Sequence, residues 1–321
     1  MEKQKIYVTE NIPSIGLDLL RSEGIEVEVW GYDNPVSSEE LKMLLKDCDG
    51  LISMLSHKID KDLIEHCPRL KVISNYAVGY NNIDIEAATK NSVAVGNTPD
   101  VLTEATADLA MALLLSLSRR IRESNYSVHE GHWEKWEPLG FLGKSLNGKT
   151  LGVIGLGRIG MAFAKRCTDG FGMKLIHYSR SEKEGFHKTS LDTLLKESDV
   201  ISLHCPLTDE TNQLLNYERL KLTKKDCILI NTARGEVIVQ DDLIKILKED
   251  HFFGVGLDVT APEPIDPNSP LLGIQRVLIT PHIGSADIET RDAMSLLTAK
   301  NILAGLNKEP LPAFVNPEAW S

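Results

Sequence analysis

Paired cysteines, long apolar runs and an excess of basic charge are all missing from this sequence, and each absence removes a class of protein. The five cysteines, Cys48, Cys67, Cys167, Cys205 and Cys227, are odd in number, scattered and never in a C-x-x-C pair. That usage fits free thiols in a reducing compartment rather than a disulfide framework. No run reaches the length of a membrane-spanning helix; the most apolar helical pattern, 109–117, is interrupted by Ser116 and closes on Ser118, Arg119 and Arg120. The first residues enter a strand pattern at once, without the apolar core of a secretory signal, so a cytoplasmic location is expected. Lys and Arg number 35 against 46 Asp and Glu, a net charge of −11, which argues against nucleic acid and anionic membrane as partners. The nine histidines show no ligand spacing of the H-E-x-x-H kind, so no metal site is expected.

What is present is a soluble α/β pattern. At 321 residues the chain is long for one core, and two domains are expected. In the first hundred residues, strands are predicted at 5–9, 25–30, 50–54 and 71–75, with helices at 14–23, 37–46 and 61–67. Such alternation implies a parallel sheet. The last of these strands runs into Asn75-Tyr76-Ala77-Val78-Gly79-Tyr80-Asn81-Asn82, a polar loop at the strand end where open α/β sheets place ligands, or a plain turn. Asn97-Thr98-Pro99-Asp100 breaks the pattern, and one long helix is predicted over 103–121, apolar on several faces and suited to an interdomain seam or a subunit interface. Trp133 and Trp136 follow in a loop, either covered by their own domain or by a partner. From Gly148 the alternation restarts, with strands predicted at 150–155, 174–178, 200–203, 227–231, 254–259 and 277–280. A helix over 288–306 and a short proline-bearing tail close the chain, the tail packing back on the first domain.

The stretch LGVIGLGRIGMAFAK, 151–165, organises this second half. A strand leads into Gly155, Leu156, Gly157, Arg158, Ile159 and Gly160, and then into a helix. Gly155 suits a tight turn, Gly157 the approach of a pyrophosphate to backbone N–H groups, and Gly160 close packing of helix on strand. The helix N-terminus adds partial positive charge. The next strand ends in Ser179-Arg180-Ser181, with no acid until Glu182. A carboxylate at this place would favour NAD, whereas a guanidinium flanked by hydroxyls can grip a 2′-phosphate. NADP(H) is therefore expected to be preferred, with NAD(H) possible; Arg180 stacking on adenine or facing solvent is the competing reading.

Three further residues follow strands of the second half: Arg234 in NTARG, Glu263 in APEP and His282 in TPHIGS. Singly, each reads as a surface ion-pair partner, a solvated loop acid or a structural histidine. Together they offer an anion clamp, a carboxylate and a proton carrier at one sheet edge, the set that hydride transfer to a 2-oxo acid requires.

At these residues the sequence resembles the D-isomer-specific 2-hydroxyacid dehydrogenases, and within them the glyoxylate and hydroxypyruvate reductases. The matching stretches are SNYAVGYNNIDIEAA, NTPDVLTEATADLAMALLL, WEPLGFLG, GKTLGVIGLGRIG, NTARGEVI, GLDV, PEP and TPHIGSA. The resemblance implies two doubly wound parallel-sheet α/β domains. One is a flavodoxin-like substrate domain made of residues 1–100 plus 287–321, the other a Rossmann coenzyme domain, 101–286. It implies Arg234 as clamp for the substrate carboxylate and carbonyl, His282 as acid/base with Glu263 as its partner, and Val78, Gly79, Ser285 and Trp136 as further substrate contacts. The resemblance also puts Thr106, Cys205, Pro206, Thr232, Asp258 and Gly284 near the coenzyme, with Asp258 towards the nicotinamide; Ser179 and Ser181 are expected there as the hydroxyls flanking Arg180. It also implies a homodimer through the helix from Thr103, Trp136 reaching the neighbouring subunit's site. Two other readings stay open: a 3-phosphoglycerate-type dehydrogenase, which shares this core, and a dinucleotide-sensing corepressor. A formate-type dehydrogenase is disfavoured because those relatives carry Gln where this chain has Glu263.

Overall fold

The computed structural model describes residues 3–32 and 34–320. They divide into two units, one running to Leu102 and resuming at Ser285, the other spanning Thr103–Gly284.

In the first unit five parallel strands, β1 (Lys5–Val8), β2 (Glu26–Val29), β3 (Gly50–Ser53), β4 (Val72–Asn75) and β5 (Ala94–Gly96), stand in the order β2-β1-β3-β4-β5. This is the flavodoxin-like order. Helices α1 (Ser14–Ser22), α2 (Ser38–Leu45), α3 (Lys61–His66) and α4 (Ile85–Lys90) connect them. Central β3 and β4 are buried at every residue, as a sheet covered on both faces requires, while edge strand β2 turns Glu26 and Glu28 to solvent and half-buries Val27 and Val29. Ser37 caps α2 with a capping box closed by Glu40, and Asp60 and Asp84 cap α3 and α4.

The sequence pattern does not include α4 or β5. Each is short, at 6 and 3 residues, and neither shows a full period. Tertiary pairing makes β5 a strand: it pairs parallel with β4, and on its other side Gly96 bridges Phe314 antiparallel, Val315 N–H donates to Val95 O, and the Asn316 side chain accepts from Val95 N–H. The C-terminal tail thus closes an edge that would otherwise be open. The C-terminal helix, Ile288–Leu306, matches its predicted span and contributes buried Asn301, whose side chain ties Ser74, Asn97 and Ala313 together.

The second unit begins with α5 (Thr103–Ser118) and α6 (Ile121–His129). The single helix expected over 103–121 is two, because Arg120 takes a left-handed φ of 52° and Lys144 N–H bonds the Ser118 carbonyl at the end of α5. Seven strands follow in the sheet order β12-β11-β10-β9-β6-β7-β8, all neighbours parallel. They are β6 (Thr150–Ile154), β7 (Lys174–Tyr178), β8 (His187–Lys188), β9 (Val200–Leu203), β10 (Ile228–Asn231), β11 (Gly254–Leu257) and β12 (Val277–Ile279). Counted from β6, this is the Rossmann order with one strand added. The connecting helices are α7 (Arg158–Phe171), α8 (Leu191–Glu197), α9 (Tyr217–Lys221) and α10 (Gln240–Lys248). Two-residue β8 lies below what a sequence pattern resolves. Helix α5 packs on α7, β10 and β11 through Ala107, Ala110, Leu113, Leu114 and Leu117.

The two sheets share one device at the non-functional ends of their strands. Asp49, just before β3, accepts from Lys5 N–H at the start of β1; Asp199, just before β9, accepts from Thr150 N–H at the start of β6. Both carboxyls stay below the ordinary range: burial pushes them up, but the amide bonds and the neighbouring lysines outweigh it.

Candidate active site

The strand order of the second unit reverses at β6, whose neighbours are β7 and β9, and the glycine loop leaves the carboxyl end of that strand. This is the switch point at which open sheets hold dinucleotides. Gly155 has φ 92°, and its N–H donates to Tyr178 O at 2.8 Å, pinning the loop to the end of β7. A Cβ at Gly155 would press on the backbone of Cys205, so Cys205 bounds the loop through its main chain. Its thiol is buried and pushed up to about 11 by that burial, which makes it an uncharged packing group.

Gly157 caps α7 without a side-chain hydrogen bond, and a Cβ there would meet no protein atom within 4 Å. No neighbour in the protein demands glycine at 157; an approaching phosphate would. A Cβ on Gly160, by contrast, would strike the Gly155 carbonyl, so α7 lies against its own turn. Arg158 and Ile159 form the first turn of α7, where N–H groups have no intrahelical acceptor and the helix dipole is positive. This cradle fits a dinucleotide pyrophosphate.

At the end of β7 the Ser179 hydroxyl donates to Ser181 O (3.0 Å), so at its contact with His177 Nδ1 (2.9 Å) it must accept. Lys188 Nζ donates to the Arg180 carbonyl at 3.1 Å. The main chain around Arg180 is thereby held at two points while its guanidinium-bearing side chain is exposed. His177 is buried, and burial lowers its proton affinity, which keeps this anchor neutral.

Arg234 follows β10. Asn231, the last residue of that strand, donates from its side chain to Arg234 O (2.8 Å) and accepts from Ala233 N–H (3.0 Å), fixing the loop; Arg234 itself donates to Ala233 O at 2.7 Å. Burial lowers its pKa, partly offset by the charges of Glu263 and Glu236, and a guanidinium remains charged throughout the physiological range. His204, at the end of β9, bridges Ser202 Oγ (2.8 Å) and Thr232 Oγ1 (3.4 Å), and burial pushes it down to about 3, so it is a neutral strut for the Thr232 loop. Pro206, two residues on, accepts from Thr211 Oγ1 at 2.6 Å.

His282 follows β12 in a left-handed conformation, φ 52°. Such a conformation costs about 1 kcal/mol or more for a residue with a Cβ. Asp258 offsets it. Its carboxylate accepts from Thr280 Oγ1 (2.6 Å), Ile283 N–H (2.8 Å) and Gly284 N–H (2.8 Å), and its carbonyl accepts from His282 N–H (2.9 Å). Hydrogen bonds to a charged acceptor contribute about 1.5–3 kcal/mol each, so three exceed the strain. Burial raises the Asp258 carboxyl more than Thr280, Ile283, His282 and Gly284 lower it. A Cβ on Gly284 would approach Asp258 and Thr106 at 3.2 and 3.3 Å, which brings Thr106, Asp258 and Gly284 into one packed cluster.

Glu263 Oε1 bonds His282 Nδ1. Burial pushes this carboxyl up, but the His282 hydrogen bond and charge, with Arg234, outweigh it and hold it below the ordinary range. An ionised Glu263 therefore fixes the Nδ1–H tautomer and leaves Nε2 to carry a proton to or from a ligand. Three loops of one sheet edge thus present a fixed cation, a carboxylate and an oriented imidazole beside the dinucleotide cradle.

Val78, Gly79 and Ser285 belong to the first unit. Val78 and Gly79 follow β4, and Ser285 O accepts from Arg291 Nε at 3.1 Å. Trp136 stands on the loop after α6 with 81% of its surface exposed. Asn231, His204, Thr280 and Lys188 are supporting residues that sequence reasoning missed. The only available signal was an Asn, His or Thr ending a strand beside a motif.

A dinucleotide cradle at the switch point of a Rossmann sheet, with an acid/base pair on the same edge, defines a nicotinamide-dependent dehydrogenase. Residues 111–284 match the D-isomer specific 2-hydroxyacid dehydrogenase, NAD binding domain. The glyoxylate reductase of Pyrococcus horikoshii is 48% identical over 98% of this chain and 97% of its own length. Among solved structures, the TT0316 protein of Thermus thermophilus superposes with a TM-score of 0.92 at 43% identity, covering 97% of this chain and all (100%) of that one. The NADPH-dependent glyoxylate/hydroxypyruvate reductase of Sinorhizobium meliloti, solved with NADP and malonate, has a TM-score of 0.88 at 31% identity, covering 99% of this chain and 98% of its own. The chain belongs to the D-isomer-specific 2-hydroxyacid dehydrogenase family and is an oxidoreductase acting on CH–OH groups. It binds a nicotinamide dinucleotide. Among the described residues no helix is long and apolar enough to cross a membrane.

Proposed function

We propose that this enzyme reduces a small 2-oxo acid, glyoxylate or hydroxypyruvate, to the 2-hydroxy acid, using NADPH in preference to NADH. The observation that carries the reading is the His282–Glu263 pair beside Arg234. The reduced nicotinamide, when bound, supplies a hydride to the carbonyl carbon. As the carbonyl oxygen gains charge, Nε2 of protonated His282 gives it a proton, and Glu263 stabilises the imidazolium through Nδ1–H. Arg234 offers fixed donors to the carboxylate and to the developing oxyanion. The main-chain amides of Val78 and Gly79 are proposed as further carboxylate donors, with Ser285 nearby. The names of the relatives support glyoxylate as substrate.

The NADPH preference rests on Arg180, held between Ser179 and Ser181 with no carboxylate at the strand end. A homodimer is proposed on the apolar surface of the second unit. Helix α6 buries none of its residues yet carries Ile121, Tyr126 and Val128, and the loop beyond exposes Trp133, Trp136, Leu139 and Leu142 by 57% or more each. Apolar exposure on this scale marks an interaction surface. A cytoplasmic location is proposed from five buried free cysteines. The intact acid/base pair favours an enzyme over the corepressor reading.

The test is initial-rate oxidation of NADPH and NADH with glyoxylate, hydroxypyruvate and pyruvate. Turnover highest with NADPH and either of the first two acids is expected. Preference for a different oxo acid would overturn the substrate, and equal use of NADH would overturn the coenzyme reading.

A further inference from the structure

The loop after β4 in the first unit carries a second layer of order that the reaction has not yet used. Three consecutive carbonyls in it are each bound from the same unit. Ala77 O accepts from Thr98 N–H (2.8 Å), Val78 O from Asn97 Nδ2 (2.8 Å) and Gly79 O from Asn75 Nδ2 (2.7 Å). In a trans peptide the carbonyl of one residue and the N–H of the next point in opposite directions. The N–H groups of Val78, Gly79 and Tyr80 are therefore turned away from those donors, and none of the three meets an acceptor among the described residues. Successive unpaired N–H groups favour an anion.

The donor that sets the third of these peptides is over-determined. Asn75 is fully buried, at 0% exposure. Its Nδ2 bonds Gly79 O and also Asn82 Oδ1 (3.1 Å), while its Oδ1 accepts from Ser53 Oγ (2.8 Å). Asn82 is in turn fixed by Met54 O (3.1 Å) and His57 O (3.0 Å), which accept from its Nδ2. The hydroxyl and the carbonyls on either side dictate which end of each side-chain amide is nitrogen, so neither can flip without losing bonds.

We propose that Tyr80 N–H joins Val78 and Gly79 as a third donor to the substrate carboxylate, and that Asn75 is the positioning residue that aims it. The proposal rests on the 2-oxo acid reading above. Asn75 touches no substrate; it acts through the Gly79–Tyr80 peptide. The isosteric Asn75→Asp variant keeps the shape but sets a carboxylate against the Gly79 carbonyl, so the peptide loses its anchor and turns.

The experiment compares full-length wild type with Asn75→Asp for glyoxylate KM and kcat, inhibition by oxamate, NADPH affinity and thermal midpoint. Glyoxylate KM and the oxamate inhibition constant should rise together by about tenfold or more, the scale of one buried hydrogen bond broken with its partner left unpaired. NADPH affinity should not change, which a general loss of structure would not allow. A folded variant with unchanged KM and oxamate inhibition would overturn the role of Asn75. Should the Asp variant fail to fold, Ser53→Ala loosens the same amide from its other side. A rise in both constants then supports the proposal, and no rise overturns it. Oxamate binding to the NADPH complex, read by coenzyme fluorescence, needs no turnover. If wild type lacks turnover, the function fails; weaker oxamate binding in the variant would still support the anion loop, and equal binding would overturn it.

Discussion

Replacing Glu263 by Gln removes a charge while keeping an acceptor for His282 Nδ1–H, so it isolates the electrostatic part of the acid/base pair. With Glu263 ionised, the imidazolium needed for reduction is stabilised by an opposite charge in direct contact. The side chains of His282 and Glu263 are 32% and 40% exposed, so water screens the pair in part. Loss of the charge should lower kcat/KM for glyoxylate reduction near neutral pH by about tenfold or more. The Glu263 carboxyl is held below the usual range, so its contribution is present above that range and lost only as pH falls through the lowered value. Activity of the wild type should accordingly fall towards that of the variant at acid pH, a limb the variant does not show. The assay is kcat/KM across pH in both directions. Superimposable profiles for wild type and Glu263→Gln would refute the electrostatic role.

Three other outcomes follow from the same geometry. Asp258→Asn replaces an acceptor of three hydrogen bonds by an amide that must point a donor at a donor, so kcat should fall about 100-fold and the thermal midpoint should drop by about 3 °C or more; unchanged kcat would remove Asp258 from positioning His282. Arg180→Asp should reverse the NADPH preference towards NADH by about tenfold or more, since it places a carboxylate where a 2′-phosphate would lie; an unaltered ratio would show that the coenzyme is selected elsewhere. Sedimentation of the full chain should give a dimer, and Trp133→Glu with Val128→Glu should shift it to monomer; a monomeric wild type would leave the apolar surface of α6 and its loop without the partner assigned to it.

Legibility in the sequence followed periodicity and local chemistry. Ser37 with Glu40, and the 19-residue C-terminal helix, announce themselves because capping and burial act within a turn or two. Strand β5 was invisible because three residues carry no period and it is defined by pairing, with β4 on one side and with Phe314–Asn316, more than 200 residues away in the chain, on the other. The break between α5 and α6 was missed for a related reason. Arg119 and Arg120 are good helix formers, and only the bond from Lys144 to Ser118 O shows where the apolar seam ends. At the proposed site, the residues assigned to ligands carry motifs, and Gly155, Arg234, Glu263 and His282 could be picked out by type and spacing. Their supports could not. Asn75 and Asn231 work through main-chain carbonyls, and His204 through the Ser202 and Thr232 hydroxyls, whose direction exists only once the strands are aligned.

The central claim is that His282 delivers the proton in reduction of a 2-oxo acid. Stopped-flow oxidation of bound NADPH by saturating glyoxylate, in wild type and in His282→Ala, tests it most directly. The account predicts rapid oxidation in wild type and a rate lower by about 100-fold or more in the variant, with NADPH binding retained. Equal rates in the two proteins, or no oxidation by the wild type with glyoxylate or hydroxypyruvate, would contradict it.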